Sequence, residues 1–253
     1  MKRKFLIYSG FLLLLAIPVK GRALKIDSLQ LRFGKFGKIS VYKGRKRPSS
    51  VIIFAAGDKG WNWRTISMMH SIRSEDEIYV GISSRQYLDN LEKEEGDCLY
   101  PASDFQKLSE YVQRKLGVDH AVSTILVGYS TGADLVYGTL CQAPPGTFKG
   151  AIVIGFCPDL VVKKPFCQGS GNFEMVPWGS STGYNFGPCS NLHQPFISLQ
   201  GMKDQVCNYQ ETKAFLQGVS NAEVIRLPHT GHLYLFYKRW VLYMKSELQR
   251  LKS

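Results

Sequence analysis

Ser123-Thr124-Ile125-Leu126-Val127-Gly128-Tyr129-Ser130-Thr131-Gly132 decides how this chain is read. Ser123 to Val127 is a β-branched, apolar run of the kind that forms a buried strand. Gly128 to Gly132 fits the G-x-S-x-G pattern, and Ala133 to Leu140 suits a helix. The physical logic is a sharp strand-to-helix turn. Small residues on either side of the serine let the backbone fold tightly, so that Ser130 Oγ projects above the sheet. The amides that open the helix then face the point where negative charge develops in acyl transfer. Glycine and serine are common, so the motif gains weight from its place between a buried strand and a helix.

Two further groups follow in the order that such a serine needs. Asp204 ends the strand-like Phe196 to Gln200 and its glycine-containing loop. His232 lies just beyond the strand-like Ala222 to Leu227. Both therefore fall at carboxyl ends of strands, where open α/β sheets build their sites. In that arrangement His232 takes the Ser130 proton and returns it to the leaving group, while Asp204 fixes the imidazole tautomer. His229 is the rival base, three residues earlier. The Gly231-His232 setting before a C-terminal helix favours His232, whose loop must bend back over the nucleophile. His70, His120 and His193 read as surface or core residues, and no histidine pair has metal-site spacing with a matching acid. No metal or cofactor is expected.

An oxyanion hole needs two backbone donors. The amide of Thr131, directly after the nucleophile, is one. The strand Val51 to Ala55 runs into Ala56-Gly57-Asp58-Lys59-Gly60-Trp61, and the amide of Asp58 or Lys59 is the other candidate. Trp61, Trp63, Tyr129 and Trp178 are candidate walls of the substrate pocket.

Gly57-Asp58-Lys59-Gly60-Trp61, Gly128 to Asp134, Gly201-Met202-Lys203-Asp204-Gln205-Val206-Cys207 and Gly231-His232 together resemble the bacterial VirJ/AcvB virulence-protein family. The similarity runs from about Val51 to the C-terminus and corresponds to the single-domain VirJ form. It implies an α/β-hydrolase exported to the periplasm, with the family's serine, acid and histidine on Ser130, Asp204 and His232. It also implies cleavage of an ester, aminoacylated phospholipid being the family's substrate. Three departures stand out: Thr131 replaces an aromatic, Lys59 replaces a glycine, and Leu233-Tyr234 replaces a His-Phe pair. Thr131 still supplies its amide, but the pocket wall changes.

The N-terminus points to export independently. Met1-Lys2-Arg3-Lys4 is a basic opening, and the apolar stretch Phe5 to Val19 follows. At about 1.5 Å per residue that stretch is shorter than a bilayer core of roughly 30 Å, which favours a signal peptide over a spanning anchor. Cleavage is expected after Gly21 or Ala23, the former leaving 22–253 as a single domain. Six cysteines, at 98, 141, 157, 167, 189 and 207, suit an oxidising compartment and up to three disulfides. The formal net charge is +12, of which Lys2, Arg3, Lys4 and Lys20 supply four and leave +8. That balance suits an anionic membrane surface. No nucleic-acid motif accompanies it.

Strands are expected at 28–33, 38–42, 51–55, 77–82, 124–128, 151–156, 196–200 and 223–227. Helices are expected at 61–72, 101–116, 133–141, 209–216 and 233–252. Such alternation predicts an α/β fold of α/β-hydrolase type, a mainly parallel central sheet with helices on both faces. Residues 157–194, rich in glycine, aromatics and cysteine, break the rhythm and read as a disulfide-pinned lid. The resulting expectation is an exported serine hydrolase acting on an ester or lipid-linked small molecule. The competing expectation is a non-catalytic periplasmic protein that works with secretion-system partners.

Overall fold

The structure is a computed structural model that describes residues 28–179 and 182–253. The leader read at 1–21 lies outside the described residues. In chain order the strands are β1 (Leu29–Phe33), β2 (Gly37–Lys43), β3 (Ser50–Ala56), β4 (Glu77–Ser83), β5 (Ser123–Tyr129), β6 (Gly150–Ile154), β7 (Asp159–Leu160), β8 (Met175–Pro177), β9 (Tyr184–Phe186), β10 (Phe196–Gly201) and β11 (Ala222–Leu227). The helices are α1 (Trp63–Ile72), α2 (Ser84–Leu91), α3 (Pro101–Lys115), α4 (Thr131–Gln142), α5 (Tyr209–Leu216) and α6 (Val241–Lys252).

Eight strands form one sheet in the order β1-β2-β4-β3-β5-β6-β10-β11. β1 and β2 are antiparallel, as are β2 and β4, and every other pairing is parallel. The central strands are buried on both faces, and their side chains alternate between two cores. Val51, Ile53 and Ala55 of β3 join one core, while Ile52 and Phe54 join the other. The first core lies under α2, α3, α4 and α5, the second under α1 and α6. Each face therefore carries helices, as the alternation predicts.

The chain leaves β3 toward β4 on one side, whereas β5 and β6 lie on the other. That reversal opens a crevice at the carboxyl ends of β3 and β5, where α/β sheets bind ligands. Ala55 pairs with Gly128 across this junction, which sets the loop after β3 beside the turn after β5.

Three local expectations are corrected. α2 adds a helix the alternation missed; Ser83 caps it by accepting from the Gln86 amide, a Ser-x-x-Gln start that is readable in sequence. The final helix begins at Val241 rather than Leu233, because Tyr234 holds a positive φ of 48° and only a short turn at Tyr237–Arg239 follows. Residues 157–194 are not an irregular flap. They contain the three-stranded antiparallel sheet β7-β9-β8 and insert Phe166, Phe173, Phe186 and Leu192 into the first core. Among its described residues, only the start of this segment, Cys157 to Val161, borders the crevice.

Of the three possible disulfides, two form: Cys98–Cys167 and Cys157–Cys207. Cys141 and Cys189 remain buried thiols in contact with each other. No helix among the described residues is long and apolar enough to cross a membrane.

Candidate active site

The turn after β5 is built by close approach. A Cβ on Gly132 would lie 2.1 Å from the Ala55 carbonyl oxygen, and one on Gly128 would lie 2.4 Å from the Gly132 oxygen. Both positions therefore exclude any side chain. Between them Ser130 adopts φ 54° and ψ −131°, a region that costs a non-glycine residue about 1–3 kcal/mol. The turn is held by the Ser130 amide, which donates to the Ile154 carbonyl at 3.0 Å. The consequence is a half-buried serine standing at the N-terminus of α4.

Ser130 Oγ is 2.9 Å from His232 Nε2, and His232 Nδ1 is 2.9 Å from Asp204 Oδ2. Asp204 is buried, and its second oxygen accepts the Val206 and Cys207 amides at 2.9 and 2.8 Å. All carboxylate contacts thus point one oxygen at the imidazole and tie the other to backbone. The histidine loop is anchored twice. Tyr129 donates to the His232 carbonyl at 3.0 Å, and buried Tyr234 donates to Leu199 and accepts from the Gly201 amide. The structure brings these three side chains together. His229 is exposed, three residues from His232, with only its carbonyl engaged, by Arg239.

The loop after β3 closes a tight turn through the Gly60 amide and the Gly57 carbonyl, 2.8 Å apart. A Cβ on Gly57 would sit 3.1 Å from Ser130 Cβ, so this loop touches Ser130. The Thr131 hydroxyl donates to Asp58 Oδ1 at 2.7 Å and locks the two turns together. Asp58 and Ser130 border two cavities, each of about 170 Å³. Lys59 borders only the first of these two.

The first cavity contains Tyr129, His232, Leu233, Asn62 and Arg64. The second contains Thr131, Asp134, Asp159, Cys157 and Arg85. Asp134 is fully enclosed, accepting the Cys157 amide at 2.9 Å, and burial pushes its carboxyl well above the usual carboxylate range, with the Asp159 and Asp58 charges adding to the rise. Burial raises the Asp159 carboxyl as well.

Of the four aromatic pocket candidates, Tyr129 lines the first cavity. Trp61 instead packs edge-on against Phe54 and covers Gly81. Trp63 points outward, 74% exposed, and Trp178 sits in the β8–β9 hairpin, donating to Asn185. Neither borders the two cavities. The residues that do, Asn62, Arg64, Asp134 and Asp159, escaped the sequence reading. Asp134 left a signal: it is the one charged side chain in α4. Arg64 and Asp159 left none, because their place depends on how distant loops converge.

No family model and no curated protein matches the chain. Solved structures do. Est1E from Butyrivibrio proteoclasticus superposes with a TM-score of 0.57 at 11% identity, over 88% of this chain and 98% of that one. The esterase domain of a Rhodothermus marinus protein gives 0.56 at 11% identity, over 89% and 97%. Dienelactone hydrolase from Anabaena variabilis gives 0.57 at 11% identity, over 89% and 95%. The class these likenesses define is one of fold. The chain has the α/β-hydrolase-like fold, with Ser130, His232 and Asp204 at the carboxyl edge of its parallel sheet.

Proposed function

We propose that this protein is a serine hydrolase that cleaves a carboxylic ester through an acyl-enzyme. The observation that carries the reading is the hydrogen-bonded chain Ser130–His232–Asp204, both links 2.9 Å, on a strained turn. Ser130 Oγ attacks the ester carbonyl as His232 Nε2 accepts its proton, and Asp204 stabilises the imidazolium. The Thr131 amide and the Asp58 amide hold the oxyanion. Asp58 is preferred to Lys59 because it is bonded to Thr131 and borders both cavities at the serine. His232 then hands its proton to the departing alcohol, and water repeats the sequence to free the acid.

An aminoacyl ester of a phospholipid fits this site as substrate, which is also what the VirJ/AcvB resemblance implies. The second cavity supports an acyl group that carries an ammonium. Asp134 and Asp159 both line it, burial raises both carboxyls, and an ammonium placed beside them would favour their charged form. Fluorophosphonate labelling tests the hydrolase reading. The oxidised protein is expected to label, and Ser130→Ala and His232→Ala are expected not to. A folded protein that resists labelling sinks the proposal and favours the non-catalytic, secretion-associated reading.

An exposed apolar stretch just after His232 in the chain supports an anionic membrane surface as the place of action. Leu233, Leu235 and Phe236 are exposed, Lys238 and Arg239 follow them at the surface, and the Arg239 guanidinium lies 4.5 Å from the Phe236 ring centroid. Apolar and aromatic side chains flanked by cations are what an anionic bilayer interface retains. Leu235→Ser with Phe236→Ser is expected to weaken sedimentation with phosphatidylglycerol vesicles about 10- to 100-fold, from the apolar area withheld from lipid. Turnover of a water-soluble ester should stay unchanged. Equal vesicle binding by the variant would remove this surface from the proposal. Export to the periplasm, the remaining part of the reading, is consistent with the two disulfides.

A further inference from the structure

One charged group beside the serine is left without a counterpart. Arg64 borders the first cavity, and its Nη1 is buried with no hydrogen-bond partner. Its guanidinium carbon lies 5.5 Å from the Trp63 ring centroid, which orients the planar group. Among the described residues no carboxylate forms an ion pair with it. A buried charged donor left unpaired is costly, so a native fold keeps one where another group arrives to meet it. Besides Arg64 the cavity carries one cation, Lys59, and one acid, Asp58, whose Oδ1 already accepts from the Thr131 hydroxyl; Arg64 also stands in the first turn of α1, where the helix dipole favours an anion.

The two cavities divide the substrate between them. His232 must deliver its proton to the leaving oxygen, so the alcohol half of the ester lies on the histidine's side. The first cavity contains His232, and the second contains Thr131 and the buried acids instead. We infer that Arg64 is a specificity-determining residue for the leaving group. It binds an anionic oxygen group, of the phosphate class, carried by the alcohol half of the ester. A planar fork of N–H donors matches two oxygens of such a group, which a lysine at this position does not. This assignment rests on the hydrolase reading for which half of the ester is bound. The anion site itself does not need catalysis to be detected.

Calorimetric titration of the wild-type protein with glycerol 3-phosphate, inorganic phosphate and glycerol provides the test. Glycerol 3-phosphate is expected to bind and glycerol not to. Arg64→Met should weaken that binding about 10- to 100-fold, and Arg64→Lys should restore only part of it. Melting curves of both variants establish that they fold. A parallel titration with phosphatidylglycerol vesicles separates sources. Arg64-dependent binding of vesicles alone identifies a lipid headgroup, and Arg64-dependent binding of the soluble phosphates identifies a free phosphate ester; either supports the site. The kinetic arm compares the acetyl esters of glycerol and of glycerol 3-phosphate. Arg64→Met is expected to raise KM for the phosphorylated ester about 10- to 100-fold more than for the neutral one. Equal binding by folded wild type and Arg64→Met, or glycerol bound as well as its phosphate, overturns the proposal. Loss of fluorophosphonate labelling with intact phosphate binding would instead strike the hydrolase reading and leave the anion site standing.

Discussion

Replacing Asp204 by asparagine is expected to lower kcat about 10⁴-fold while the protein keeps its fold, an effect of the size seen when a triad acid becomes an amide. The geometry dictates this outcome. Asp204 Oδ1 accepts two amide protons, from Val206 and Cys207, and only an oxygen can remain there. The asparagine must therefore turn its amide nitrogen toward His232 Nδ1, 2.9 Å away. A donor facing Nδ1 forces the imidazole proton onto Nε2, where the Ser130 proton has to be received. The base is lost while every heavy atom stays near its place. KM should change little, since Asp204 borders neither cavity that flanks the serine. Steady-state kinetics on a nitrophenyl ester, with a melting curve beside it, makes the check. A kcat loss below tenfold would show that Asp204 does not set the tautomer.

How much of this site could be read from residues alone depended on the range of the interactions involved. The turn at Ser130 was legible because its causes are local: an apolar strand, three positions that need small size, and a helix. Asp204 and His232 were legible through chain order and strand ends, since the sheet's own regularity carries both to one edge. The substrate walls were not. Trp63 was an obvious aromatic, yet α1 turns it outward while its neighbours Asn62 and Arg64 turn toward the serine, a choice set by helix phase and by the Asn62 cap. Asp134 sits four residues after Ser130, and its burial follows from β7 and Cys157 closing over α4, which no short window records.

Residues 157–194 fail for a related reason. Strands of two or three residues are too short to display a period of two, so β7, β8 and β9 read as irregular chain. Of the aromatics that suggested a lid, Phe186 is a core residue, Tyr184 packs part-buried against the core, and Trp178 lies outside it. Phe166 and Phe186 fill the space left beside α4 at Gly138, where a Cβ would meet Phe166 at 2.6 Å. Of the cysteines in the same segment, Cys157 and Cys167 form disulfides and Cys189 does not, and the pairing followed from topology. Cys141 on α4 and Cys189 meet as thiols within the first core, and the other four join loops.

Those two bridges are expected to separate stability from activity. Cys157–Cys207 closes a 50-residue loop and Cys98–Cys167 a 69-residue loop. By chain entropy each contributes about 4 kcal/mol, so serine at both ends of either bridge should lower Tm by roughly 8–16 °C. Their consequences for catalysis differ. The Cys207 amide donates to Asp204 and the Cys157 amide donates to Asp134, so this bridge clamps the two loops that position those acids. Without it, the loop between β10 and α5 is free to move and the hydrogen bond to His232 Nδ1 loses its fixed partner. Cys98 and Cys167 instead join the segment before α3 to the chain after β7, through backbone bonds between Leu99 and its neighbours Pro165 and Cys167. Well below either melting point, Cys157→Ser with Cys207→Ser should lose most of its kcat, about 10- to 100-fold, by misplacing a catalytic group. Cys98→Ser with Cys167→Ser should keep wild-type kcat. Rates measured at 15 °C on folded protein decide the matter: equal kcat in both double variants would mean that the Asp204 loop holds its shape without the clamp.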